Sequence, residues 1–257
     1  MERKAIIGGT GVYGMNTDGY SMIVETEYGN VEVDMVSYCG EEIVFLPRHG
    51  KGHSIPPHLI NYRANMKALE KLNVKYIYAT AAVGSCNENF EPGDIVVIKD
   101  FIDFTKQRPL TFYEGGENPV KHVDMSEPYC RNLGMKFCEI AEEEGVLIKG
   151  EAVYVTTEGP RFETAAEIRM YKMLGADVVG MTSVPEVVLA KELSMCYASV
   201  GIITNWCTGM GVTSHNIKNI KDIVDENKEK ITRIFLKVFK EPLTQDNCKC
   251  KDAVVRI

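Results

Sequence analysis

The sequence predicts an α/β fold, a single three-layer domain in which helices cover both faces of a central mixed sheet. Segments with helical spacing alternate with short, nearly continuous apolar segments, which is typical of buried strands between helices. A hydrophobic fraction of 45% and a charged fraction of 25% provide enough apolar material for a core. A length of 257 residues fits one domain, 1–257, ending in a polar tail at 241–257.

The predicted elements follow from periodicity and from glycine and proline positions. Strands are predicted over Lys4–Gly8, Val31–Tyr38, Glu42–Leu46, Val74–Ala82, Asp94–Ile98, Gly150–Thr156, Val178–Met181 and Tyr197–Thr204. Helices are predicted over Asn61–Leu72, Tyr129–Glu144, Thr164–Leu174, Val184–Met195 and Ile220–Phe239. Asp103–Lys121, with its prolines and glycines, is predicted to be a long irregular loop of the kind that carries function.

Charge and hydropathy narrow the choice of partner. The net charge is −7 and no basic run is present, which argues against nucleic acid and against an anionic membrane surface. No apolar stretch reaches the roughly 18 residues that a membrane span requires. The first residues lack a secretory pattern. We therefore expect a cytoplasmic protein with a small-molecule ligand.

The chain has eight cysteines, most of them expected to be small buried hydrophobes. Cys248 and Cys250 stand apart, because a C-x-C pair on a polar tail could be half of a metal site, a redox pair or a covalent staple. No second Cys or His pair with zinc spacing accompanies them, so no metal site is predicted. Whether any pair is oxidised stays open at this point.

A glycine-rich turn follows the first strand. Gly9–Gly14 matches G-x-G-x-x-G, so an NAD-dependent oxidoreductase is one hypothesis. A dinucleotide turn opens a helix, however, whereas Met15–Tyr20 contains Asn, Asp and Gly and leads into another apparent strand. The alternatives are a nest of backbone N–H groups that grips a phosphate-sized anion beside the Thr10 hydroxyl, or a plain tight turn.

Further polar clusters follow other strands. Arg48 offers a bidentate fork to an anion and His49 a further donor, although a solvated loop would look the same. The small residues of Ala79–Ser85 allow a ligand to approach the backbone at the carboxyl end of a strand. Glu163 precedes a helix, where an acid is also favoured by the helix dipole alone.

Taken in order, these motifs resemble the trimeric purine nucleoside phosphorylase and methylthioadenosine phosphorylase family. The matching stretches are Gly8-Gly9-Thr10-Gly11, Arg48-His49-Gly50, Asn61-Tyr62, Gly84-Ser85, Pro92-Gly93-Asp94, Phe101-Ile102-Asp103, Glu158-Gly159-Pro160-Arg161-Phe162, Met181-Thr182-Ser183-Val184-Pro185-Glu186 and Thr204-Asn205. Each motif is weak alone, but nine in order cover nearly the whole chain. The resemblance implies a nucleoside phosphorylase-like fold, with inorganic phosphate as co-substrate and no cofactor.

The resemblance also implies roles for individual residues. The implied phosphate site comprises Thr10, Arg48, His49, the backbone of Ala81 and Ala82, and Thr182. Met181 is implied to lie against the ribose and Phe162 against the purine, while Asn205, His49 and Arg48 are the implied catalytic residues. His122 is implied to reach a neighbouring subunit's 5′ pocket, which requires a homo-oligomer, either a trimer or a dimer of trimers.

Two positions distinguish the base. Members directed at adenine look like Thr-Asp-Tyr-Asp at the end of this strand, and they lack an acid after Pro-Arg-Phe. This chain instead has Thr204-Asn205-Trp206-Cys207 at the first position and Glu163 at the second, which resembles the 6-oxopurine enzymes. A 6-oxopurine N1–H is a donor that a carboxylate accepts, while adenine N1 is an acceptor. These residues predict a 6-oxopurine enzyme of purine salvage.

The group at the 5′ carbon is predicted from the residues that precede the last helix. Ile217 aligns where a branched apolar residue favours a methylthio group, although His215 could serve a 5′-hydroxyl. The predicted substrate is S-methyl-5′-thioinosine, with inosine and guanosine as further substrates and methylthioadenosine as the alternative.

Overall fold

The computed structural model describes residues 2–8, 19–52, 54–116, 120–211 and 217–256, without the side chains at 217, 218 and 256. Its strands are β1 (Arg3–Gly8), β2 (Gly19–Thr26), β3 (Gly29–Tyr38), β4 (Glu41–Pro47), β5 (Val74–Ser85), β6 (Ile95–Phe104), β7 (Lys121–Val123), β8 (Gly150–Thr157), β9 (Val178–Gly180), β10 (Cys196–Trp206) and β11 (Val254–Arg256). Its helices are α1 (Tyr62–Lys71), α2 (Arg131–Glu143), α3 (Ala165–Met173), α4 (Ser183–Glu192) and α5 (Ile217–Val238).

Nine strands form one mixed sheet in the order β10-β6-β8-β9-β5-β1-β4-β3-β2. β5 pairs in parallel with both β1 and β10, while the short β9 pairs antiparallel with β5 beyond the end of β1. The additional pairing of β10 with β5 closes β5, β10, β6, β8 and β9 into a ring. The predicted central mixed sheet is confirmed, and its closure into a ring is an addition that the sequence analysis did not contain.

Helices cover both faces, as the three-layer prediction requires. Successive strand residues point to opposite faces, so Ile77 of β5 joins the core cluster under α1 and α4 while Tyr78 joins the cluster under α2 and α5. The Tyr78 ring stacks on Phe235 of α5 with centroids 4.3 Å apart. α3 covers a third, smaller cluster through Ile168 and Tyr171.

Local signals account for most element boundaries. The Asn61 side chain accepts the Ala64 N–H at 3.0 Å and caps α1, and Thr164 forms a capping box with Glu167 at the start of α3. β6 extends to Phe104, beyond the predicted end at Ile98. None of the described helices is long and apolar enough to cross a membrane.

The C-terminal segment is packed against the domain and is not a free tail. Cys250 and Ala253 are 1% and 2% exposed. β11 pairs antiparallel with β7, and both short strands were missed by the sequence analysis. They were missed because neither segment carries an apolar run like that of Val178–Met181.

Candidate active site

The site is built along the second half of β5. Thr80, Ala82 and Gly84 are exposed or half-buried, whereas the residues between them are buried. This two-residue period places the three on one face of the strand. Ala82 is exposed although both of its neighbours in this central strand are buried. The sheet is therefore open above Ala82.

The sheet is also interrupted beside this stretch. Ala79 is the last β5 residue paired with β1, and Gly84 is the first paired with β9. Among the described strands, β5 residues 80–83 therefore have a partner on the β10 side alone. On the other side, Arg48 Nη1 donates to the Thr80 carbonyl at 2.9 Å, and no described strand pairs with the backbone groups of residues 80–83 there.

Arg48 is 3% exposed and forms a buried ion pair. Its Nε and Nη2 donate to the two carboxylate oxygens of Glu186, each at 2.7 Å, and the Tyr197 hydroxyl donates to the same carboxylate. Burial alone would lower the pKa of Arg48, but the Glu186 carboxylate outweighs it and raises that pKa above its usual range. The bidentate fork expected for phosphate is therefore directed at an internal anion, because a buried guanidinium needs a permanent counter-charge.

Arg48 nevertheless keeps donors for a ligand. A guanidinium has five N–H groups, and Glu186 and Thr80 engage three of them. His49 follows at 6% exposure, and its Nδ1 lies 2.8 Å from the Ile55 carbonyl, which fixes the ring orientation and places the proton on Nδ1. Thr10, the remaining N-terminal member of the predicted phosphate site, lies outside the described residues.

Thr182, another member of the predicted phosphate site, belongs to a different element from Arg48 and His49. It precedes α4, is 8% exposed, and its backbone N–H donates to the Tyr154 hydroxyl at 3.2 Å. Its side chain makes no helix-capping hydrogen bond. Gly180 leaves room for this contact, since a Cβ there would lie 2.1 Å from the Tyr154 oxygen.

Asn205 lies at the far end of the β5 face, next to Gly84. Its Oδ1 accepts the Thr204 hydroxyl at 2.8 Å, and its Nδ2 donates to the Trp206 carbonyl at 3.0 Å. An amide side chain can donate twice and accept twice, so each end keeps one hydrogen-bonding position. Asn205 is thus an oriented donor and acceptor at 8% exposure.

Glu163 is held by a side chain at the end of β8. The Thr157 hydroxyl donates to its carboxylate at 2.7 Å. Glu163 and Thr157 also line a cavity of about 380 Å³ with Phe104, Tyr171 and others. Burial raises the pKa of the Cys207 thiol, and the neighbouring Cys86 and Glu163 add to that shift.

Met181 and Phe162 flank this region. A Cβ on Gly159 would lie 2.6 Å from the Met181 sulfur, so the turn at Gly159 packs directly on Met181. Phe162 is 44% exposed in the single chain. Arg108 ties these loops together, because it donates to the carbonyls of Glu158 and Val184, each at 2.7 Å.

Other predicted residues are not brought to this face within one chain by the described contacts. His122 is exposed on β7, opposite Val255 of β11, in a separate two-stranded sheet. Trp206 is half-buried at the end of β10. Ile217 begins α5, and its side chain is outside the described residues.

Three buried residues of the site were missed. Glu186 neutralises Arg48, Tyr154 holds Thr182, and Arg108 clamps the loops. Glu186 did carry a signal, since an acid within the apolar run Val184–Ala190 requires a buried partner. Arg108 carried none beyond its place in a long irregular loop.

Comparison with known proteins identifies the class. Residues 3–240 match the phosphorylase superfamily, and the chain belongs to that superfamily. A 6-oxopurine nucleoside phosphorylase of Pyrococcus furiosus is 46% identical, covering 99% of this chain and 98% of the relative. A protein of Methanopyrus kandleri, described as a probable S-methyl-5′-thioinosine phosphorylase, is 44% identical with 99% and 98% coverage.

The fold comparison agrees. The methylthioadenosine phosphorylase of Schistosoma mansoni, solved with adenine, superposes with a TM-score of 0.88 at 31% identity, covering 98% of this chain and 96% of that one. The family resemblance and the mixed α/β fold expected from the sequence are therefore confirmed.

Proposed function

We propose that this enzyme splits 6-oxopurine nucleosides with inorganic phosphate, and that S-methyl-5′-thioinosine is its main substrate, with inosine and guanosine also accepted. The observation that carries the proposal is the oriented amide of Asn205 beside Gly84 of β5. The Glu163 carboxylate, held by the Thr157 hydroxyl, is proposed to face the same base. The full-length relatives named for 6-oxopurine nucleosides and methylthioinosine support it.

The base follows from the hydrogen-bonding pattern. The remaining Nδ2–H of Asn205 donates to O6, and its Oδ1 accepts from a protonated N7. Glu163 accepts the N1–H of hypoxanthine or guanine, while the acceptor N1 of adenine would face a carboxylate. A site of this kind discriminates strongly, because the wrong base leaves buried groups unpaired.

The reaction is a direct displacement at C1′. A phosphate oxygen forms a bond to C1′ as the bond from C1′ to N9 breaks, through an oxocarbenium-like state. The base keeps the electron pair of that bond and gains a proton on N7, which balances the proton that the hydrogen phosphate gives up. The products are hypoxanthine and 5-methylthioribose 1-phosphate. The phosphate is positioned by Arg48, His49, Thr10, Thr182 and the backbone at 81–82. Orientation and electrostatics therefore lower the barrier to the reaction.

The active assembly is proposed to be a homo-oligomer, a trimer or a dimer of trimers, in the cytoplasm. His122 supports this proposal, since it is exposed on β7 within one chain and would act in a neighbour's 5′ pocket. Phosphate is the co-substrate, and no cofactor enters the proposed reaction.

The decisive assay compares base release from methylthioinosine, inosine, guanosine and methylthioadenosine, with and without phosphate. We expect phosphate-dependent release of 6-oxopurines. Undiminished release without phosphate would indicate a hydrolase, and preference for methylthioadenosine would favour the alternative that the Schistosoma mansoni structure exemplifies. Tight NAD binding would revive the oxidoreductase hypothesis.

Base choice has its own test. The double variant Glu163→Ser with Asn205→Asp is expected to shift preference toward 6-aminopurines. Glu88→Ser with Asn89→Asp, on an exposed turn, serves as the matched control and should leave preference unchanged. A double variant that keeps its preference for oxopurines would contradict the roles given to Glu163 and Asn205.

A further inference from the structure

Four cysteines that are distant in the sequence meet at the base of the C-terminal segment. Cys130 precedes α2, Cys196 begins β10, and Cys248 and Cys250 belong to the segment at 241–257. Their sulfur atoms all lie within 4.8 Å of one another. Three of the four side chains are buried and Cys248 is half-buried.

The spacing of the sulfurs is that of a shared ion. The Sγ atoms of Cys196 and Cys248 are 3.5 Å apart, well beyond a disulfide bond of about 2.05 Å. Four thiolates at about 2.3 Å from a tetrahedral Zn²⁺ would be separated from one another by about 3.8 Å. The observed separations, 3.5 Å for one pair and at most 4.8 Å for the others, bracket that value.

A buried cation beside the cluster supports the same conclusion. Lys191 on α4 is 2% exposed, and its Nζ lies 3.8 Å from the Cys250 sulfur. Within the described part of the chain, that sulfur is the only hydrogen-bonding partner of the ammonium. With four neutral thiols, the buried ammonium would have no hydrogen-bonded counter-charge and only the more distant Asp124 carboxylate, which is costly. Four thiolates around a divalent ion carry a net charge of −2 and supply that counter-charge.

We propose that Cys130, Cys196, Cys248 and Cys250 bind one Zn²⁺ in a closed structural site. Sulfur ligands in tetrahedral geometry suit Zn²⁺, and four protein ligands leave no open position for catalysis. The thiols lose their protons as the ion binds. A cavity of about 350 Å³, lined by Cys130 and Cys196 together with Tyr76 and Leu243, gives the ion a route to the site.

No metal site was expected from the sequence, because no second ligand pair with zinc spacing accompanies Cys248 and Cys250. The fold supplies that pair from the start of α2 and the start of β10. A bound ion would attach the C-terminal segment to the sheet. Cys250 opens the short turn that leads into β11, so the attachment would also hold the pairing of β11 with β7.

The test is the metal content of the full-length protein, purified without added zinc or chelator and measured by inductively coupled plasma mass spectrometry. We expect about one zinc ion per chain. Cys250→Ser and Cys130→Ser should lose it, while Cys138→Ser, a half-buried thiol outside the cluster, should retain it. Thiol titration in denaturant with chelator and no reductant should find all eight cysteines reduced.

The unmodified protein decides the question even if a variant fails to fold. An intact mass lower by four hydrogen atoms, with no bound metal, would mean two disulfides and would overturn the proposal. So would eight reactive thiols in a protein that takes up no zinc on dialysis against zinc chloride. Iron in place of zinc at equal stoichiometry would overturn the assignment of the ion. None of these outcomes depends on the proposed function.

Discussion

At the scale of single residues, the Arg48 and Glu186 pair shows how a buried charge can be kept ready for a ligand. Glu186 is fully buried and accepts from Arg48 twice and from Tyr197 once. The pair is satisfied without phosphate, and the remaining guanidinium N–H groups face no competing partner among the described residues. A charge that is held in place before binding needs no reorganisation during the reaction.

Glu186→Gln is expected to lower the free energy of unfolding by about 3 kcal/mol, because it leaves the Arg48 charge buried and unpaired. Urea unfolding measures this change. Glu151→Gln removes an exposed carboxylate 4.0 Å from Lys99 and should stay within about 0.5 kcal/mol of the unmodified protein. Equal effects of the two substitutions would contradict the importance of the buried pair.

Gly84→Ala is expected to reduce kcat/KM for inosine by roughly 100-fold, because a misplaced catalytic group costs about that much. The new Cβ would lie 2.8 Å from Cys207 Sγ and 3.2 Å from Asn205 Nδ2, and it would displace the amide. Initial rates of hypoxanthine release measure the effect. Adding Cys207→Ala removes the closer contact and should restore part of the activity, whereas a double variant no better than Gly84→Ala would argue against this geometry.

At the scale of elements, the start of α3 fixes the loop that carries Phe162 and Glu163. Thr164 and Glu167 form the capping box, and Arg161 pairs with Glu167 at 2.7 Å. Two adjacent site residues therefore precede a helix whose first turn is anchored by side chains. The motif that suggested function is also the motif that starts the helix.

This anchoring should appear in the pH dependence of stability. The hydrogen bond from Arg161, followed by that from the Thr164 backbone, lowers the pKa of Glu167 to about 2. The unfolded-state pKa is higher, about 4.3, so the stabilisation is present above about pH 4.3 and is lost as the pH falls through about 2. Between pH 5 and pH 3, the free energy of unfolding measured with urea should fall less steeply with decreasing pH in Glu167→Gln than in the unmodified protein. Identical slopes in the two proteins would contradict the lowered pKa of Glu167.

At the scale of the whole molecule, the site is completed by the meeting of distant segments and, in our proposal, by a second chain. The turn after β4 provides Arg48, β5 the open backbone, β10 Asn205, and the loop before α3 Glu163. His122 is exposed on a separate small sheet in the single chain. Symmetric oligomers repeat such a contribution at every site.

Mixing two inactive variants tests this sharing. A His122→Ala chain keeps Asn205, and an Asn205→Ala chain keeps His122. A site on a His122→Ala chain is therefore complete when the neighbour that supplies His122 is an Asn205→Ala chain. Random reassembly of cyclic oligomers should restore activity at roughly a quarter of the sites. Each variant reassembled alone is the control. Absence of recovery, with mixed oligomers verified by native mass spectrometry, would place His122 outside the neighbour's site.

Some of the site could be predicted from the sequence and some could not. Asn205 and Glu163 stand beside elements whose periodicity is strong, so their positions at strand and helix ends were foreseeable. Glu186 and Tyr154 could not be assigned as partners, because a contact between remote residues leaves no mark in local spacing. For the same reason, the sequence did not reveal that Cys130 and Cys196 lie beside Cys248 and Cys250.

The sequence by itself determined the α/β class, most element boundaries and the family, because side-chain period, capping residues and motif order are local properties of the chain. Only the tertiary structure decided that β10 joins β5 and β6 to close a ring, that β5 is open between Ala79 and Gly84, and that Arg48 faces Glu186. These depend on which distant strands and helices pack together, and packing is settled by the whole core at once.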